Sequence, residues 1–156
     1  MVHRVLLDST YLLPTFGIDV EGLSDDDIRI LRELGLGRVR YYCLSVVWVE
    51  VLGKVHKEAV RRNITLGEWV NVAIESLLNS GFYDWIYPSS SALKLGLELR
   101  QKGHRDMIDN LLYGSAISEG MIFLTMDTSF LDFLKRNGYS VDNVFDHVKL
   151  IQIMSK

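Results

Sequence analysis

Short apolar runs alternate with longer segments in which apolar residues recur at helical spacing, and this alternation constrains the fold of the 156-residue chain more than any other feature. It predicts an α/β protein of three layers, α/β/α, around a central, mainly parallel sheet. Val2–Leu7 reads as the first strand, followed by a short helix around Tyr11–Thr15 that Pro14 and Gly17 limit. Ser24 reads as an N-cap with Asp25, Asp26 and Asp27 in the favourable first turn, and Ile28, Leu31 and Leu34 give that helix its apolar face before Gly35 and Gly37 end it. Tyr41–Leu44 is the second strand. Ser45 opens and caps a helix to about Arg62, with Val46, Val47, Val51 and Val55 at helical spacing. Thr65 with Glu68 fits a capping box, which places a helix over Leu66–Leu78 in a helical hairpin with the one before. Asp84–Tyr87 is the third strand, and Ser89, Ser90 and Ser91 cap a helix to about Gln101. A helix from His104 or Arg105 to Glu119 stops at Gly120, Met121–Thr125 is the fourth strand, a helix runs from Ser129 to Gly138, and Val148–Ile153 is expected as the last strand.

A chain of this length with 48% hydrophobic residues can bury one substantial core, so residues 1–156 are expected to form a single domain. No Gly/Ser-rich linker, repeat or low-complexity tract interrupts it. Gly, Glu or Lys breaks every apolar stretch short of the ~18 residues a membrane span needs, so no membrane partner is expected. The opening Met1-Val2-His3-Arg4 lacks the longer apolar region of a signal peptide. The lone Cys43 cannot pair within the chain and sits in an apolar strand pattern, which suits a small core residue and a reduced, cytoplasmic setting. The net charge of −3 neither demands nor excludes nucleic acid, because clustered acids would mask a basic patch in the total.

Four acids fall where such a fold would bring them together. Asp8 ends the first strand, Asp127 follows the fourth by two residues, and Glu50 and Asp109 lie inside helical patterns. Active sites of parallel α/β sheets form beyond the carboxyl ends of the strands. Carboxylates gathered there repel, so one or more must protonate unless a cation intervenes, and oxygen-only ligation suits Mg²⁺ or Mn²⁺. Thr10, Ser45 and Thr125 are hydroxyls placed to support the acids. Each acid also has a bland reading: turn or N-cap for Asp8 and Asp127, solvated helix face for Glu50 and Asp109, first-turn acid for Asp106. Their joint placement in strand–helix order favours the site, and with it a metal-dependent enzyme acting on phosphate esters, a ribonuclease in the leading reading.

The stretch Val5-Leu6-Leu7-Asp8-Ser9-Thr10, the helix from Ser45 to Glu50, Asp109 through Ala116, Gly120, and Phe123-Leu124-Thr125-Met126-Asp127 with Phe130 shortly after together resemble a PIN-domain ribonuclease, VapC-like, over Val5 to Phe130. The resemblance implies a PIN-like fold and Asp8, Glu50, Asp109 and Asp127 as both catalytic and metal-binding acids. Asp106, one helical turn before Asp109, stays open between a ligand, an acid behind the ligands and a helix cap. Ser129 departs from the pattern, since many family members carry a further acid there. A homodimer is also implied. Two roles compete: a toxin held by a small antitoxin, or an RNA-processing enzyme.

RNA binding needs cations for phosphates and aromatics for bases. Lys54, Lys57 and Arg61 recur at three- and four-residue steps on the helix of Glu50, and Arg105 precedes Asp106. These are the RNA-binding candidates, set against the reading of a solvated helix face. Trp48, Trp69 and Trp85 suit core or dimer contacts better than stacking platforms. Two rivals remain. A haloacid-dehalogenase-like Mg-dependent phosphatase would also use a strand-end Asp, but would want a second Asp where Thr10 stands. A non-enzymatic α/β interaction module would be indifferent to loss of Asp8.

Overall fold

The structure, a computed structural model, describes residues 1–156. Five strands form one parallel sheet in the order β3-β2-β1-β4-β5: β1 His3–Leu7, β2 Val39–Leu44, β3 Tyr83–Ile86, β4 Ile122–Leu124 and β5 Val144–Phe145. β1 sits at the centre, with Leu6 opposite Tyr42 of β2 and Phe123 of β4. Val5, Leu6 and Leu7 are all buried, the continuous apolar run expected of a strand covered on both faces.

Seven α-helices flank the sheet: α1 Asp25–Gly35, α2 Val47–Arg61, α3 Glu68–Asn79, α4 Ser90–Gln101, α5 Met107–Glu119, α6 Thr128–Arg136 and α7 His147–Met154. A 3-10 helix, Ser9–Phe16, follows β1 directly. Right-handed crossovers to β2 and then β3 put α1, α2 and α3 on one face; the return past β1 to β4 and β5 puts α4, α5 and α6 on the other. The molecule is a three-layer α/β/α protein of PIN-like form.

Local chemistry explains most boundaries. Ser24 caps α1 in a reciprocal capping box with Asp27, and Ser89 caps α4 through the Ala92 amide. Gly120, with φ +65°, closes α5 in the left-handed conformation that lacks penalty for glycine. Trp48 of α2 stacks on Trp85 of β3, ring centroids 5.0 Å apart and 14° from parallel. Trp69 is more exposed, its indole N–H donating to the Thr65 carbonyl.

Four expectations are corrected. Val148–Ile153 is not a strand but most of α7, capped by Asp146 through the Lys149 amide. His147, Leu150 and Met154 are buried while Val148 and Ile153 face out, a helical period that a short apolar run conceals. The last strand is instead Val144–Phe145. Thr65 makes no capping box, because α3 begins after Gly67 with no side-chain cap. Ser45 does not cap α2 either: the cap is Val46, and the Ser45 amide continues the sheet to the Ile86 carbonyl. Lastly, α2 and α3 pack chiefly on the 3-10 helix rather than as a hairpin on each other.

Candidate functional site

The strand order makes β1 and β4 the place where chain connections leave in opposite directions, which is where a crevice opens beyond the carboxyl ends of parallel strands. Asp8 and Asp127 stand on either side of it. The Asp8 amide donates to the Leu124 carbonyl at 3.0 Å, which ties the end of β1 to β4. Asp8 occupies the cap position of the 3-10 helix, yet its side chain makes no capping bond. The carboxylate is free for other partners: Thr125 Oγ1 donates to Oδ2 at 2.8 Å, and Ser9 Oγ lies 3.3 Å from Oδ1. Ser9 has one proton to give, and Glu50 Oε1 at 2.7 Å is the better acceptor.

Glu50 reaches this group from the first turn of α2. Lys54, one turn later, donates to Glu50 Oε1 at 2.7 Å and to Ser9 Oγ at 3.1 Å. Glu50 Oε2 is buried and has no partner. Burial raises the Asp8 carboxyl above its ordinary range; the Thr125 hydrogen bond opposes that shift, Glu50 adds to it and Lys54 opposes it.

Asp109 enters from the first turn of α5. Its side chain is 10% exposed and accepts no hydrogen bond; the nearest cationic candidate is His104 Nε2, 3.9 Å from Oδ2. Burial pushes its carboxyl up to about 8, and the negative charges of Asp106, Asp8, Asp127 and Glu50 reinforce the shift. The other four acids named from the sequence are thus all near enough to bear on the charge of Asp109. Asp106 and Asp127 also serve as caps: Asp106 Oδ1 accepts from the Ile108 and Asp109 amides, and Asp127 Oδ1 accepts from the Phe130 amide and the Ser129 hydroxyl. Each keeps Oδ2 without a partner in the chain. The cap reading and the site reading hold together, since capping fixes a carboxylate's direction while using one oxygen.

The other candidates separate. Thr125 and Lys54 are in the group. Thr10 and Ser45 make no side-chain hydrogen bond; Ser9, next to Thr10, joins Thr125 as a hydroxyl that touches the acids. Lys57 and Arg105 are exposed and without an acidic partner, whereas Arg61 pairs with Glu58. His104, beside Arg105, is held by Asn110 through two hydrogen bonds, and Phe130 packs against it with ring centroids 4.4 Å apart, which fixes the ring beside Asp109. Its position two residues before Asp106 was the available signal.

Every candidate ligand is an oxygen, the chemistry of a hard divalent cation. Asp109 without a donor and Glu50 Oε2 without a partner are deficits that such a cation would answer. As the side chains stand, no three His, Cys, Asp or Glu residues are grouped closely enough to hold an ion. The largest cavity, about 900 Å³, lies elsewhere, between α1, the 3-10 helix and the end of α3. A smaller one of about 260 Å³ adjoins the acids through Thr125 and Asp127 and is closed by Phe145, Asp146 and His147. The small cavity, unlike the large one, reaches the acid cluster, through Asp127 and the Thr125 that bonds Asp8.

Comparison of the sequence with protein-family models and with curated proteins finds no match. Solved structures do share the fold. VapBC2 from Rickettsia felis, bound to a DNA fragment from its promoter, aligns at TM-score 0.60 with 17% identity, covering 92% of this chain and 98% of that one. PAE2754 from Pyrobaculum aerophilum aligns at 0.61 with 13% identity over 98% and 90%. A toxin–antitoxin complex from Klebsiella pneumoniae aligns at 0.56 with 15% identity over 92% and 97%. The shared property is the fold. At these identities nothing about activity transfers from the neighbours by likeness alone. No helix is long and apolar enough to cross a membrane.

Proposed function

We propose that the chain is a divalent-metal-dependent endoribonuclease of the PIN-domain family, the VapC-type toxin of a toxin–antitoxin pair, which hydrolyses RNA phosphodiester bonds. The observation that carries this reading is Asp109: a nearly buried carboxylate without a donor, raised to about 8 at the switch point of a parallel sheet, with Asp106, Asp8, Asp127 and Glu50 around it. Structural acids are paired with cations or donors; an unpaired one among like charges suits a site made for a cation. Two neighbours in fold are toxin–antitoxin proteins, which supports a small antitoxin as a partner of this chain too.

Asp8, Glu50, Asp109 and Asp127 would hold Mg²⁺ or Mn²⁺, with Asp106 next to Asp109. The ion supplies charge neutralisation at the phosphoryl group and makes water a competent nucleophile at neutral pH. The chain's own part is to hold carboxylates in place. Thr125 ties Asp8 across the sheet and also accepts from the Asp127 amide at 3.1 Å, so one hydroxyl aligns both strand-end acids. Lys57 and Arg105 are free cations for RNA phosphates, and a homodimer would extend that surface.

Labelled single-stranded and structured RNAs incubated with Mg²⁺ or Mn²⁺ test the reading, against EDTA and Asp8→Asn controls. Cleavage lost in both controls is expected. Metal binding without cutting of any RNA, together with hydrolysis of a phosphomonoester, would overturn it in favour of a phosphatase.

A further inference from the structure

Glu50 is the one acid of the group that already has a cation. Lys54 Nζ lies 2.7 Å from Oε1 and 3.1 Å from Ser9 Oγ, and Ser9 Oγ is itself 2.7 Å from Oε1. One carboxylate oxygen is thus doubly engaged, while Oε2 is buried with nothing to bond. An ordinary i,i+4 pair on a helix face is solvated and contributes little, as Arg29–Glu33 shows with both side chains about 60% exposed. The Lys54 pair differs. Glu50 is 21% exposed, Ser9 has no exposure, and Ser9 lies next to Asp8 on a separate element. The ammonium therefore reaches from α2 into the strand-end acids, and its charge bears on Asp8 as well.

We propose that Lys54 is an internal cation that holds Glu50 when no metal is bound, and that a divalent cation competes with it for the Glu50 carboxylate as the acids assemble. Lys54 is then a positioning residue that sets the metal concentration at which the site assembles. A divalent cation and the ammonium compete for the charge of one carboxylate, so removal of the ammonium strengthens metal binding. A lysine turned outward to a substrate phosphate, away from Glu50, would leave metal affinity nearly unchanged. The inference rests on the metal-dependent reading above.

The test is Mn²⁺ affinity of the whole chain by calorimetry and by loss of the free-Mn²⁺ paramagnetic signal, at fixed ionic strength. Wild type, Lys54→Met, Lys54→Gln and Lys54→Arg are compared, with the glutamine variant guarding against any packing effect of methionine. Both neutral variants should bind Mn²⁺ on the order of tenfold more tightly, and arginine should return affinity toward wild type. Wild-type binding with unchanged or weaker affinity in both neutral variants overturns the role of Lys54 and leaves the metal-dependent reading standing. Absence of Mn²⁺ binding in every form overturns both.

Discussion

Asp109 couples the site to the stability of the whole chain. Its folded carboxyl titrates near 8, far above the ordinary aspartate value of 3.8. A raised acid favours folding fully below the unfolded value, and that contribution is lost as pH climbs through the folded one. Between about pH 4 and 8 the metal-free protein should therefore melt at progressively lower temperature, and Asp109→Asn should flatten that slope. Under the metal-dependent reading proposed above, saturating Mn²⁺ should also remove it, because a bound cation favours the ionised form. Thermal melts across this pH window with and without Mn²⁺ check both. Asp8, raised in the same direction, gives a companion prediction: Asp8→Asn should stabilise the metal-free chain while abolishing its gain in melting temperature on Mn²⁺ addition. The strand-end acids were legible because the apolar runs before Asp8 and Asp127 fit the strand places of an alternating α/β pattern. Ser9 bridging to Glu50 was not, because the two are 41 residues apart and meet only through the fold of the 3-10 helix over α2.

The helices show why some short motifs have the composition they do. α5 carries Gly114, Ser115 and Ala116, and a Cβ on Gly114 would come within 2.7 Å of the Ala92 carbonyl oxygen of α4. The small residues allow α4 and α5, the helix that carries Asp109, to approach backbone to backbone. Gly114→Ala should cost about 1–3 kcal/mol, the range for overpacking a close contact, read as a lower urea midpoint with unchanged slope. Gly35 stands in a comparable place, with the Phe82 ring where its Cβ would go. Amphipathic helices with clear caps, α1 and α4, were legible from Ser24 and Ser89. α7 was not: six residues from Val148 to Ile153 are too few to separate a helical from a strand period, and only the Asp146 cap and the burial of His147 decide it.

At the scale of the molecule, α7 folds back on α1 and closes one face of the sheet. His147 is buried there, accepting or donating to the Tyr11 hydroxyl at 3.1 Å, with Asp27 Oδ2 3.5 Å from its Nε2. The chain after β5 is thereby linked to the 3-10 helix that follows Asp8. Ending the chain after Asp146 would uncover the surfaces that bury Leu150 and Met154, at roughly 1.5–3 kcal/mol for each side chain. Chemical denaturation of that truncation should show a large loss of stability, and the proposed RNA cleavage should fall with it. The parallel α/β class was readable from periodicity, whereas the position of β5 and the return of α7 depend on contacts far apart in sequence. The stacked Trp48–Trp85 pair has one more consequence. Two indoles held this close share their electronic excitations, and coupled chromophores imprint a paired band on the circular dichroism spectrum. Trp48 is two residues from Glu50, so the chain carries an optical reporter on the very helix that a metal would pull on.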